Sequence, residues 1–401
     1  MVRAASLCCF ALCVTVLGAC GDDDGAPVDA GRDAGLVLRD AGTDMPRDAH
    51  FDWGVPPKSL EVQALGVQGF VLSYGGESVM TAPLFTRQSA INVGLSVPLS
   101  ADAPAIDAAL AETALDRVRA IVSGHAHFDH LMDVPHILGT APNATLYANR
   151  SAAHILAALA PDRDPSCTSA APATTLARSR VVALDDPADS QVDYTNCPEQ
   201  QPPGAPRDGS WVSVPSTRIR LMPMCTTHPA QVGGFHFGEG SVDADLCELP
   251  PIAAAWLEGQ TISFLIDFLD DAGVPEFRIY YQDAPATRPI GEVPAAVLAE
   301  RRVDLAILCV GTNNAVENQP TDIVASLSPR FVFSGHWEDF FARRDRPLQN
   351  IPLLDVGEFV ARANAALTEP ADAQLIVDGE RIDARQVLII PGSRLVVPQP
   401  P

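Results

Sequence analysis

Apolar residues alternate with polar ones, or run unbroken for strand length, at 60–67, 70–74, 78–81 and 120–124. The pattern returns at 218–224, 277–282, 303–310, 330–335 and Leu375–Val377. Helical spacing takes over at 105–118, 131–138 and 356–367. Strand and helix patterns that interleave in this way predict an α/β protein. We read two mixed sheets packed face to face with helices outside, a four-layer αββα sandwich. Two stretches break the rhythm. Residues 160–213 are rich in Pro, Ala, Asp and Ser, and 235–255 hold Gly238-Glu239-Gly240 and Leu249-Pro250-Pro251. Irregular insertions of this length inside a compact domain are commonly functional, and we expect lids over a substrate pocket.

Chemistry concentrates where strand patterns end. His125-Ala126-His127-Phe128-Asp129-His130 follows the 120–124 run and precedes the 131–138 helix. Crowding three imidazoles and a carboxylate into six residues is costly for packing alone, and metal binding makes sense of it. His125 and His127 point the same way and can share one ion, while Asp129 and His130 can reach a second. Imidazole with carboxylate suits Zn²⁺ first, then iron or manganese. Three more residues each follow a strand-like run: His228 after 218–224, Asp283 after 277–282 and His336 after 330–335. Catalytic groups gather at such ends because the sheet fixes their positions.

With these residues in place the chain resembles the metallo-β-lactamase-fold hydrolases over roughly residues 58 to 395. That family has an H-x-H-x-D-H loop, then a separate His, a bridging Asp and a final His. The resemblance implies that His125, His127 and His228 hold one divalent ion, that Asp129, His130 and His336 hold a second, and that Asp283 bridges them. The run Ser334-Gly335-His336-Trp337-Glu338-Asp339-Phe340-Phe341 is similar to the branch containing ascorbate-phosphate lactonases and N-acylphosphatidylethanolamine phospholipase D. There are departures. Tyr281-Gln282-Asp283 stands where relatives often have Thr-Gly-Asp, and Ala82-Pro83 where they often have Asp-Pro. Asp267 competes for the bridging place, but it lies mid-strand among apolar neighbours, so we prefer Asp283. An Asp at the bridging position disfavours antibiotic hydrolysis, and an intact His127 disfavours redox chemistry. The implied activity is hydrolysis by a metal-bridging hydroxide. Zinc brings the pKa of bound water down towards about 7, and the metals polarise a phosphoryl or carbonyl centre. Asp129 would also orient the nucleophile, and His236 would meet substrate. Glu338 or Asp339 would support a metal-bound His. We read His136 and His154 as structural, and Asn313-Asn314 as a turn.

The N-terminus addresses location. Arg3 precedes an apolar stretch too short for a comfortable membrane span, which reads as a signal peptide over 1–19. Leu17-Gly18-Ala19-Cys20 resembles a bacterial lipobox, with Cys20 lipidated and Gly21 leaning towards outer-membrane sorting. Residues 20–57 repeat Asp-Ala-Gly and carry Asp22-Asp23-Asp24, the composition of a disordered tether. The domain then runs over 58–401. Outside the cytoplasm thiols pair. Three pairings are open to Cys167, Cys197, Cys225 and Cys247, and we expect Cys167–Cys197 and Cys225–Cys247. Cys225 could instead bind metal, and Cys309 reads as a buried free thiol. A net charge of −23 and a single lysine, Lys58, exclude nucleic acid as a partner. The partners expected are a small-molecule or lipid substrate and, through Cys20, a membrane. The sequence sets no oligomeric state. Three functions fit: a phosphodiesterase-like or phospholipase-like hydrolase, a lactonase or other small-molecule carbonyl hydrolase, and a surface-tethered binding protein without catalysis.

Overall fold

A computed structural model describes residues 58–202, 209–231, 234–368 and 372–400. The expected signal peptide, the Cys20 anchor and the tether lie outside the described residues. Among the described residues, no helix is long and apolar enough to cross a membrane.

Strands β1 (Leu60–Gly66), β2 (Gly69–Tyr74), β3 (Glu77–Thr81), β4 (Val118–Val122), β5 (Thr145–Ala148) and β6 (Val181–Ala183) lie side by side in one sheet. Strands β7 (Val212–Ser213), β8 (Ile219–Thr226), β9 (Thr261–Leu269), β10 (Pro275–Tyr281), β11 (Leu305–Cys309) and β12 (Phe331–Gly335) build the other. The chain then returns to the first sheet with β13 (Leu375–Val377), β14 (Glu380–Ile382) and β16 (Arg394–Val397), and to the second with β15 (Gln386–Leu388). Both sheets are mixed. β1 to β3 are antiparallel hairpins, whereas β3 to β6 run parallel. β8, β9 and β10 alternate, whereas β10, β11, β12 and β15 run parallel. β8, β10 and β12 therefore end on the same edge.

Side-chain alternation explains the layers. Leu60, Val62, Phe70, Leu72, Ala120 and Val122 of the first sheet pack against Ile262, Phe264, Ile266, Ile279, Ile307 and Phe333 of the second. The alternate residues face outwards. Met80, Ile121 and Leu146 meet helices Ala103–Leu110, Val134–Thr140 and Arg150–Leu156. On the far side Leu265, Ala306 and Val332 meet helices Thr321–Leu327 and Val356–Ala366. Both faces of both sheets are thus covered, which is the αββα sandwich expected. Each leucine, isoleucine, valine, methionine or phenylalanine among them contributes roughly 1.5–3 kcal/mol when fully buried.

Several boundaries differ from expectation. The helix at 105–118 stops at Leu110, and Val118 already opens β4. The 131–138 helix is two pieces, Phe128–Leu131 and Val134–Thr140. The break falls before Pro135, which has no N–H to give a preceding turn. Asp133 at the break is tied elsewhere, accepting from the Phe85 and Thr86 amides and the Thr86 hydroxyl.

The disulfides also correct the expectation. Cys167 pairs with Cys247, and Cys197 with Cys225. The 193–197 segment runs beside β8, with Asp193 N donating to Pro223 O and Cys225 N to Asp193 O. Cys197 therefore lies beside Cys225. Cys247 is brought to the other insertion by Arg163 and Ser169, both of which donate to its carbonyl. Each insertion is thereby tied to a distant partner rather than to itself. Cys225 is taken as a metal ligand no longer, and Cys309 is the free, buried thiol expected. Two disulfides mark an extracytoplasmic protein. Reducing them should cost about 2–5 kcal/mol for each bond. A thermal melt with and without reductant, with thiol titration to verify opening, checks this, and an unchanged midpoint would count against it.

Candidate metal centre

The cluster is assembled from both sheets. β4 delivers His125 and His127 through Gly124, and the short helix Phe128–Leu131 carries Asp129 and His130. β8, β10 and β12 end just before His228, Asp283 and His336. Gly124 is required where the sheets meet, because a Cβ there would lie 2.2 Å from Asp283 Oδ1. Its carbonyl accepts from Ile262 N, and its N–H donates to Asp283 Oδ2 at 2.7 Å. His336 has φ +57°, a left-handed backbone that a β-carbon disfavours. Its N–H donates to Val67 O at 2.7 Å. Glu338 accepts from Val67 N and pairs with Arg87, so it steadies His336 at one remove. Asp339 instead accepts from Phe341 N in the next turn.

Donor atoms of His125, His127 and His228 lie within 4.8 Å of one another, as do those of His125, Asp129 and His130. Asp129 Oδ2 is 3.5 Å from His130 Nε2 and 3.4 Å from His336 Nε2. Ligand atoms about 2.1 Å from a tetrahedral ion stand about 3.4 Å apart, so these separations fit an ion between them. Hydrogen bonds sort the ring nitrogens. His228 Nδ1 faces Pro229 O at 2.7 Å and His127 Nε2 faces Gly238 O at 3.3 Å. A nitrogen that donates there leaves its opposite free to bind. His125 Nε2 is buried with no hydrogen-bond partner, an arrangement that costs free energy unless something fills it. On these observations the donor set fits a divalent ion.

Burial holds the imidazoles of His125, His127, His130 and His228 neutral. It lowers His125 and His127 well below the usual histidine range, with the neighbouring imidazoles adding to the effect. His228 falls for the same first reason, and His130 is pushed down to about 3 by burial against the pull of Asp129. Burial pushes Asp129 up, but His130 and His336 outweigh it and hold the carboxyl well below its usual range. A depressed imidazole contributes stability above its unfolded pKa and loses it as pH falls towards the folded value. Zinc-free protein should therefore lose stability as pH falls from about 6.5, with the raised carboxyl of Glu258 opposing part of the loss, and the loss should continue towards the folded His130 value of about 3. Melting temperatures after chelation, read at half-unit steps from pH 7.5 to 5, test this; a flat profile would contradict it.

Two groups near the cluster escaped sequence reasoning. Glu258 Oε2 is buried without a hydrogen bond, 3.7 Å from His127 Nε2. Burial and then Glu239 raise its carboxyl to about 7. Its backbone is fixed by Gly238 O, Ala126 N and the Asn149 amide. The polar turn Leu257-Glu258-Gly259-Gln260 carries no pattern that marks it. Phe340 packs 5.3 Å from the His336 ring and also touches Phe128, which meets Phe237. These rings give the site an apolar wall. His236 is exposed and takes no part in the cluster's hydrogen bonds; it stands two residues before Gly238. Asp267 lies on the outer face of β9, bonded to Arg220 and Arg278. His136 and His154 pair with Asp107 and Asp245 at the surface, and Asn313 opens a turn.

No protein-family model and no curated protein matches the chain. Among solved structures it is similar to the metallo-beta-lactamase fold protein YhfI from Bacillus subtilis, at 9% identity and TM-score 0.43, with 84% of this chain and 99% of that one covered. It is similar to Igni18, a metallo hydrolase from Ignicoccus hospitalis, at 12% identity and TM-score 0.46, with 84% and 98% covered. CmlA, a diiron beta-hydroxylase from Streptomyces venezuelae, has 12% identity and TM-score 0.36, with 70% and 44% covered.

Proposed function

We propose that the chain is a metal-dependent hydrolase with two divalent ions, zinc first, acting on a phosphodiester or an ester or lactone in the cell envelope. The observation that carries this reading is the convergence of His125, His127, Asp129, His130, His228 and His336 from both sheets, with a buried, unpartnered His125 Nε2. His125, His127 and His228 would hold one ion, and Asp129, His130 and His336 the other. When bound, such ions supply Lewis acidity and activate water near neutral pH. The protein supplies the rest. The neutral imidazoles of His125, His127, His130 and His228 are ready to bind without first losing a proton, and Asp129, kept ionised by its histidines, orients the attacking group. Phe340, Phe128 and Phe237 keep one side of the site apolar, which strengthens electrostatic interactions there. His236, exposed beside the cluster, is the residue we propose to meet substrate. The disulfides support an oxidising location, and Cys20 is proposed as the lipid anchor that holds the domain there.

Full chain loaded with zinc should turn over one member of a matched panel of phosphodiesters and lactones, and lose that activity on chelation. Phosphodiester turnover supports the phospholipase-like reading; lactone turnover makes the protein a carbonyl hydrolase. Stoichiometric zinc with turnover of neither would defeat both and favour a binding protein.

A further inference from the structure

The family resemblance puts Asp283 between two ions, yet its carboxylate has other partners. Oδ2 accepts the Gly124 N–H at 2.7 Å, and Oδ1 lies 3.1 Å from His125 Nδ1. Oδ2 also lies 3.7 Å from His130 Nδ1, beyond hydrogen-bond reach, and that nitrogen has no hydrogen-bond partner. Both histidines therefore turn the same edge to Asp283, away from Nε2. His125 Nε2 is the buried atom without a partner, and its ring packs against His127 and His228. His130 Nε2 is the nitrogen that faces Asp129. A neutral imidazole carries its proton on one nitrogen and its lone pair on the other. An acceptor behind Nδ1 places the lone pair on Nε2, where an ion would be met.

The geometry points to Asp283 as a positioning residue that stands behind His125 and fixes its donor nitrogen, rather than as a ligand shared by two ions. This rests on the metal-centre reading proposed above. Gly124 fits the assignment. Without a Cβ its backbone reaches the carboxylate from the side and pins Oδ2. Oδ1, engaged by His125, would have to leave that ring before it could reach an ion at Nε2. Losing that carboxylate would weaken the site without removing a ligand from it.

The test uses the full chain with ¹⁵N-labelled histidine, loaded with zinc. Wild type, Asp283→Asn and Asp283→Ala should each hold two zinc ions. In wild type the His125 Nδ1–H should resonate downfield and exchange slowly with solvent; in Asp283→Ala that signal should move upfield and exchange fast. Chelator competition should show zinc held roughly 10–100-fold less tightly in the variants. One zinc per chain in both variants, with the His125 signal unmoved, would overturn the inference in favour of a bridging ligand. Wild type that binds no zinc would overturn the metal-centre reading itself, and this inference with it. Melting curves verify folding. Should Asp283→Ala not fold, Asp283→Asn, which keeps the size and one acceptor, carries the comparison.

Discussion

Asp129→Ala is expected to lower turnover by roughly 10³-fold, the scale on which losing a preorganised electrostatic contact lowers kcat. Asp129 Oδ2 stands 3.5 Å from His130 Nε2 and 3.4 Å from His336 Nε2. The substitution removes the anionic member of that set and leaves two imidazoles to hold a cation alone. Zinc content should fall from two ions per chain to one, because His125, His127 and His228 do not depend on Asp129. The fold should survive with some loss of stability, because His130 and His336 favour the ionised carboxylate by more than burial penalises it. Zinc analysis beside kcat and KM, on whichever substrate the panel identifies, checks this. Full activity in the variant would remove Asp129 from the reaction.

Asp267→Ala carries the largest expected effect on stability, about 3–5 kcal/mol, the cost of leaving a buried charge without its partner. Asp267 is paired across the sheet with Arg220 on β8 and Arg278 on β10. Its oxygens accept from both guanidinium groups at 2.7 to 2.9 Å. Arg278 is 0% exposed, so alanine would strand a cation with no water to take it. Denaturant melts should give the loss, and zinc content should stay unchanged because Asp267 faces away from the cluster. A drop in zinc with little loss of stability would reverse the assignment of the two aspartates.

Those two aspartates also mark what a sequence can disclose. Asp267 sits mid-strand among apolar residues that are buried on both faces, and that position alone puts it on a face rather than at an end. Asp283 follows the last residue pair of its strand, which puts it on the edge where His228 and His336 also emerge. Strand ends were legible because a period of two is a strong signal over six or more residues. Partner choice within the insertions was not. Cys197 meets Cys225 because an irregular segment lies along β8 through backbone hydrogen bonds, and no side-chain pattern encodes that contact. Glu258 is hidden for a similar reason. Its position comes from Gly238, Ala126 and Asn149, three segments far apart in the chain. The helix break at Asp133 was half visible, since Pro135 announces a boundary but Thr86, which claims the Asp133 side chain, does not.

The cluster draws on β4 from one sheet and on β8 and β12 from the other. An ion held by His125, His127 and His228 would therefore be a rivet through the sandwich as well as a reagent. Binding to the folded state alone adds about 2.7 kcal/mol when free ion is one hundred times the dissociation constant. Scarcity of metal would then open the seam between the sheets at the edge where chemistry is done. Resistance to proteolysis would follow the supply of ion, and the molecules that persist would be those already equipped to work.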